Sequence, residues 1–76
     1  MIQINKVPEG VDLTIPSGQM ASGAYFKKTG EGKLTLSDAS YNANLRLGGV
    51  VEFTQDTTIN GALHIEEGAV VFLPYD

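Results

Sequence analysis

An all-β fold, built as a short β-solenoid of roughly three to four coils, is what this sequence predicts. Three observations carry it: apolar and polar side chains alternate, glycine- and proline-rich turns punctuate the alternation, and one short phrase recurs. No window carries apolar residues at i, i+3, i+4 and i+7, the stripe that a packed helix needs.

Taken in order, Ile2-Gln3-Ile4 alternates ahead of Pro8, and residues 1–10 read as an N-terminal arm or cap that pairs with a neighbour or covers one end. Residues 11–76 read as a single β domain. Within it, Val11-Asp12-Leu13-Thr14-Ile15, Lys33-Leu34-Thr35-Leu36-Ser37, Asn44-Leu45-Arg46-Leu47 and Ala62-Leu63-His64-Ile65-Glu66 place an apolar side chain at every second position. One face of each strand is then buried, while Asp12, Thr14, Thr35, Arg46 and His64 point to water. Val50-Val51-Glu52-Phe53 and Val70-Val71-Phe72-Leu73 complete the strands. The turns between them are Pro8-Glu9-Gly10, Pro16-Ser17-Gly18, Thr29-Gly30-Glu31-Gly32, Gly48-Gly49, Asn60-Gly61 and Glu67-Gly68. Gly and Asn reach positive φ cheaply, and Pro fixes φ at a turn's first corner.

The recurring phrase is Leu, any residue, Ile or Leu, a polar or small pair, then usually Gly. It is seen at Leu13-Thr14-Ile15-Pro16-Ser17-Gly18 and Leu63-His64-Ile65-Glu66-Glu67-Gly68, in shorter form at Leu45-Arg46-Leu47-Gly48-Gly49, and without the Gly at Leu34-Thr35-Leu36-Ser37-Asp38. A period of roughly 20 residues suits one solenoid coil, in which like apolar side chains stack from turn to turn. Phe53 and Phe72, or their alternating neighbours, are the expected core aromatics; a one-residue slip would exchange inside for outside. The alternative architecture is an antiparallel meander, small barrel or sandwich, because Asn60-Gly61 has the signature of a two-residue hairpin turn.

Lys27-Lys28-Thr29-Gly30-Glu31-Gly32-Lys33-Leu34-Thr35-Leu36-Ser37, followed by Tyr41, resembles the passenger-associated repeat of bacterial autotransporter adhesins. The likeness extends over about residues 26–73, through Leu45-Arg46-Leu47-Gly48-Gly49-Val50-Val51. It implies a parallel β-helix with structural and adhesive use and no catalytic residues. Asp38 stands where that family often has Gly.

With 76 residues, the chain buries only roughly 60–65% of its unfolded surface, so a staple is expected. The absence of cysteine excludes disulfides, and one histidine with no cysteine cannot build the usual zinc sets. Assembly with another chain is left as the expected stabiliser. A formal charge of −4, with only Lys27, Lys28 and Lys33 clustered, argues against nucleic acid. Residues 69–73, the longest apolar run, are too few to span a membrane. The start has no basic segment followed by an apolar one. The chain is therefore expected to be made in the cytoplasm, possible destinations including a virion, with an extracellular place only for a piece of a longer chain.

No residue pattern points to catalysis. Gly30-Glu31-Gly32-Lys33 fails as a phosphate loop because Leu34 stands where Ser or Thr must reach magnesium. His64, between Leu63 and Ile65, faces outward, and Glu66 is its nearest candidate partner. Glu52, Asp56, Glu66 and Glu67 read as an acidic, solvated face, their spacing matching no calcium loop. Neither metal nor cofactor is expected. Ile2, Ile4, Tyr41, Phe72, Leu73 and Tyr75 are the expected interface residues, a tyrosine tolerating one wet end.

The expected function is a non-enzymatic structural or assembly protein, homo-oligomeric or part of a larger assembly, working through protein contacts at β edges and coil ends. A virion component, such as a capsid-decoration or tail-associated protein, is the expected setting. The alternatives are a small acidic inhibitor of a host nucleic-acid-binding complex and an adhesin or carbohydrate-binding fragment.

Overall fold

The computed structural model describes residues 2–74. Its strands are β1 (Ile2–Lys6), β2 (Asp12–Ile15), β3 (Ala24–Thr29), β4 (Lys33–Leu36), β5 (Ser40–Tyr41), β6 (Ala43–Leu47), β7 (Val50–Phe53), β8 (Thr58–Ile59), β9 (Leu63–Ile65) and β10 (Val70–Phe72). A single 3-10 turn, Ser17–Gln19, follows β2, and no α-helix occurs among the described residues. Three parallel sheets result: β1-β3-β6-β9 (sheet A), β2-β4-β7-β10 (sheet B) and β5-β8 (sheet C). Each successive strand of a sheet comes from the next turn of the chain, so the fold is a β-solenoid of about four coils.

The antiparallel alternative is excluded, since every strand pairing among the described residues is parallel. Asn60-Gly61 accordingly closes no hairpin: β8 pairs with β5, and β9 with β6. Glycine is needed there for a different reason, because a Cβ at Gly61 would run into the Ala43 carbonyl oxygen of the coil beneath. Gly49 combines both demands, with φ at +74° and the Gly30 carbonyl packed against its Cα.

The coil length is not constant. Partners are 23 residues apart at Ile2↔Tyr25, 17 at Lys33↔Val50 and 20 at Val50↔Val70. The recurring phrase therefore marks one side of a coil and not a whole coil. Leu13 and Leu34 pair on sheet B, whereas Leu45 and Leu63 pair on sheet A. Both sheets demand the same alternation followed by a corner, so one phrase serves both.

The interior is a set of vertical columns. Leu13, Leu34, Val51 and Val71 form one on sheet B, and Ile15, Leu36 and Phe53 another. On sheet A, Phe26, Leu45 and Leu63 stack, as do Lys28, Leu47 and Ile65. Each fully buried leucine here contributes roughly 2–3 kcal/mol by leaving water. Phe53 is in the core, but Phe72 is not: its partner is the outward Glu52, and Val71 takes the inward place.

Tyr41 corrects a second expectation. It is fully buried, not at a surface. Its hydroxyl donates to the Ile15 carbonyl at 2.6 Å and accepts from the Ser37 and Asp38 amides at 3.0 and 3.2 Å. The buried phenol satisfies three backbone groups across two coils, which is why its polar end needs no water. Asp38, beside it, accepts from the Ser17 amide at 2.6 Å and ties the 3-10 turn to the second coil.

Residues 2–6 of the segment read as an arm or cap form β1, the terminal strand of sheet A. Its polarity is inverted. Gln3 and Asn5 are in register with the inward Phe26 and Lys28, so Ile2 and Ile4 face out. Val7 explains the choice. It is buried at the corner against the Gly30–Gly32 turn, and strand alternation then turns Asn5 and Gln3 inward with it.

Candidate interaction site at the open end

The fourth coil closes only two of its three sides among the described residues. β9 and β10 are the last strands of sheets A and B, while sheet C stops one coil earlier at β8. Both β9 and β10 thus offer one unpaired edge of N–H and C=O groups. Leu63, Ile65 and Leu73 are 47%, 38% and 57% exposed, and Val70 and Phe72 are about half exposed beside them. Where the third side is missing lies a cleft of about 510 Å³ lined by Phe53, Ile59, Leu63, Leu73 and Pro74, with Gln55, Asp56 and Thr57 at its polar part.

Charges lie to the side of this end. Lys27, Arg46 and His64 stack in register on the outer face of sheet A. The like charges of Lys27 and Arg46 repel, and Glu66 relieves them: it accepts a hydrogen bond from Arg46 Nε and lies 3.5 Å from His64 Nε2. That hydrogen bond holds the Glu66 carboxyl below the usual carboxylate range, and the positive charges of Arg46, His64 and Lys27 act the same way. On sheet B, Lys33 pairs with Glu52 at 2.9 Å, and this hydrogen bond raises the lysine.

The residues expected to form an acidic face are therefore dispersed. Glu52 belongs to sheet B, Glu66 to the edge of sheet A, Glu67 to the following turn and Asp56 to the cleft. No group of three or more His, Asp or Glu that could hold a metal occurs among the described residues. His64 is largely exposed with Glu66 beside it, and no hydroxyl is hydrogen-bonded to it among the described residues. No helix is long and apolar enough to cross a membrane among the described residues.

Of the expected interface residues, Phe72 and Leu73 lie at the open end, and Ile2 and Ile4 on the outer face of the first coil. Tyr41 is interior, and Tyr75 lies outside the described residues. Leu63 and Ile65 are assigned to a core by alternation alone, and alternation leaves open whether Val70 or Val71 faces inward. Lys28 is an interior group that its charge alone does not announce. It is 1% exposed, and its Nζ donates to the Gly30 and Gly48 carbonyls at 2.9 and 2.6 Å. Burial lowers its pKa, partly opposed by Glu31. The spacing of Ala24, Phe26 and Lys28 already carries that signal, at every second position of one strand.

Compared with known proteins, the chain matches no family model, no curated protein and no solved structure.

Proposed function

We propose that this chain is a non-enzymatic structural or assembly protein whose working surface is the β9–β10 end of the solenoid. One observation supports this above the others. Five large apolar side chains, Leu63, Ile65, Val70, Phe72 and Leu73, gather around two unpaired strand edges at one end of a small stack. Apolar clusters joined to free edges mark protein contacts, because both the side chains and the backbone groups gain by being covered. The setting expected from the sequence, a capsid-decoration or tail-associated virion component, belongs to the same proposal. Capsid and tail genes beside its own would support that setting.

The test is the mass of the particle in solution. Light scattering behind a sizing column, run across a hundredfold dilution series, is expected to show a species heavier than the 8.1 kDa monomer. The melting temperature is expected to rise with protein concentration, as linkage requires when the folded chains associate. A monomer throughout, with an unchanging melting temperature, would overturn the assembly reading.

A second reading, adhesion to a polar or carbohydrate surface, has its own support. Lys27, Arg46 and His64 share the outer face of sheet A with Tyr25 and Asn44, an aromatic and an amide beside two cations and an imidazole. The acidic-inhibitor reading finds less support, since Glu52 and Glu66 are each engaged by a cation of the same chain.

A further inference from the structure

We infer that the occupant of the open end is a second copy of this chain, docked end to end about a two-fold axis so that fourth coil meets fourth coil. The inference rests on the assembly reading above and goes further by fixing the partner, the end and the symmetry.

Three arrangements of two copies are available. Head-to-tail stacking would lay β1 of one copy on β9 of the next. Continuing the observed columns, Gln3 would sit over Leu63 and Asn5 over Ile65. The half-buried Gln3 amide would then be covered by an aliphatic side chain, and an amide buried without partners is destabilising. Asn5 Nδ2 is already buried with no hydrogen-bond partner, and an aliphatic Ile65 stacked on it would offer none. Head-to-head docking would bring those amides together and leave the open end uncovered. In the first coil Val7, Ile15 and Met20 are already hidden, and the exposed Ile2 and Ile4 lie on the outer face of sheet A rather than on the end. Tail-to-tail docking places Leu63, Ile65 and Leu73 on their own kind. The two-fold axis reverses chain direction, so the free edges of the fourth coils meet antiparallel and exchange hydrogen bonds. Such an interface closes at two copies, whereas head-to-tail contacts continue into a filament.

The end is large enough. Four layers about 4.8 Å apart span ~14 Å of backbone, so the 29 and 28 Å extents lie across the coils. A triangular face of that span offers roughly 400 Å² per copy before side chains are counted, which brings the total close to the ~1,000 Å² that a specific interface needs.

The chain contains no cysteine, so single-cysteine variants report docking cleanly. His64→Cys marks the outer face of β9, and Lys6→Cys the outer face of β1 at the opposite end. Treated with a short bis-maleimide, His64→Cys is expected to give a covalent dimer and Lys6→Cys to stay a single chain. The double variant is expected to stop at the dimer. Cross-linking of Lys6→Cys alone, or a ladder beyond two from the double variant, would overturn the two-fold arrangement while leaving assembly intact. A monomer by light scattering would remove the assembly reading itself. Circular dichroism of each variant establishes that it is folded before it is scored.

Discussion

The two ends of the stack are built from similar strands and finished differently. In the first coil, the inward side chains Val7, Ile15 and Met20 are 1%, 3% and 7% exposed. The 3-10 turn crosses the third side there and is tied to the second coil through Ser17 and Asp38. The inward places of β1 that are nearest the end are given to Gln3 and Asn5. In the fourth coil, the inward places belong to Leu63 and Ile65, and both stay substantially exposed. Among the described residues, the sheet A columns begin on polar Gln3 and Asn5 in the first coil and end on apolar Leu63 and Ile65 in the fourth, whereas the sheet B columns begin on Leu13 and Ile15.

Charge at the open end is the largest lever on this difference. Leu63→Glu with Leu73→Glu is expected to weaken self-association by at least a hundredfold, because two carboxylates per copy must be desolvated in the contact. Ile2→Glu with Ile4→Glu, a more exposed pair at the other end, is expected to change it less than threefold. Sedimentation equilibrium measures both. Equal losses from the two pairs would erase the distinction between the ends.

Deeper in the stack, Lys28 joins the Gly30 and Gly48 turns of adjacent coils. Lys28→Met keeps the aliphatic stem and leaves two carbonyls without their side-chain donor, a cost of about 2–3 kcal/mol read from urea unfolding of the monomeric end-charge variant. The pH dependence has a definite sign. The folded pKa is depressed below 10.5, so between the two values the unfolded chain binds the proton and the folded chain does not. Stability contributed by this group therefore rises with pH across that window. The wild type is expected to gain on Lys28→Met as pH approaches 10.5, and a narrowing gap would contradict the burial assigned to Lys28.

These contrasts also show what the sequence makes legible. The columns Leu34–Val51 and Leu36–Phe53 follow from period-two alternation, and Lys28 follows from Phe26 by the same rule. Which sheet a phrase joins does not follow. Leu13 and Leu45 open similar phrases, yet the choice of sheet depends on parallel partners 17 to 23 residues away. Tyr41 escapes for a related reason, since the Ile15 carbonyl that accepts its proton belongs to another coil. The inversion of β1 is decided by one residue: with Val7 buried, the isoleucines must face out, although Ile2-Gln3-Ile4 by itself suggests the reverse. The open end is invisible locally because Leu63 and Ile65 have the pattern of interior residues. They are exposed only because no layer follows them among the described residues.

Asn5→Leu tests the finished end directly. Removing an inward amide whose nitrogen has no partner is expected to stabilise the monomer by about 0.5–1 kcal/mol. It also gives the first coil an aliphatic place to match Ile65, so end-to-end growth beyond the dimer is expected at high concentration. Light scattering would detect it. Stabilisation without growth would mean that Asn5 contributes nothing to stopping the stack.

The smallest expected effect lies on the outer face of the open end. Glu66 accepts from Arg46, so β9 is held to the third coil by a side-chain bond as well as by the ladder. Its folded pKa lies below its ordinary value of 4.5. Stability from this group is therefore full above that value and is lost as pH falls through the folded pKa. The pair is exposed and screened, so the global melting temperature will move little. The sensitive measurement is amide hydrogen exchange strand by strand, corrected for the intrinsic pH dependence of exchange. Between about pH 6 and pH 3, β9 amides that exchange by local opening are expected to lose protection in the wild type and to lose less in Glu66→Gln. Amides of β1, whose strand has no such pair among the described residues, are expected to respond alike in both proteins. If β1 and β9 lost protection in step, acid would be loosening the whole stack, and the Arg46–Glu66 pair would have no particular hold on the last coil.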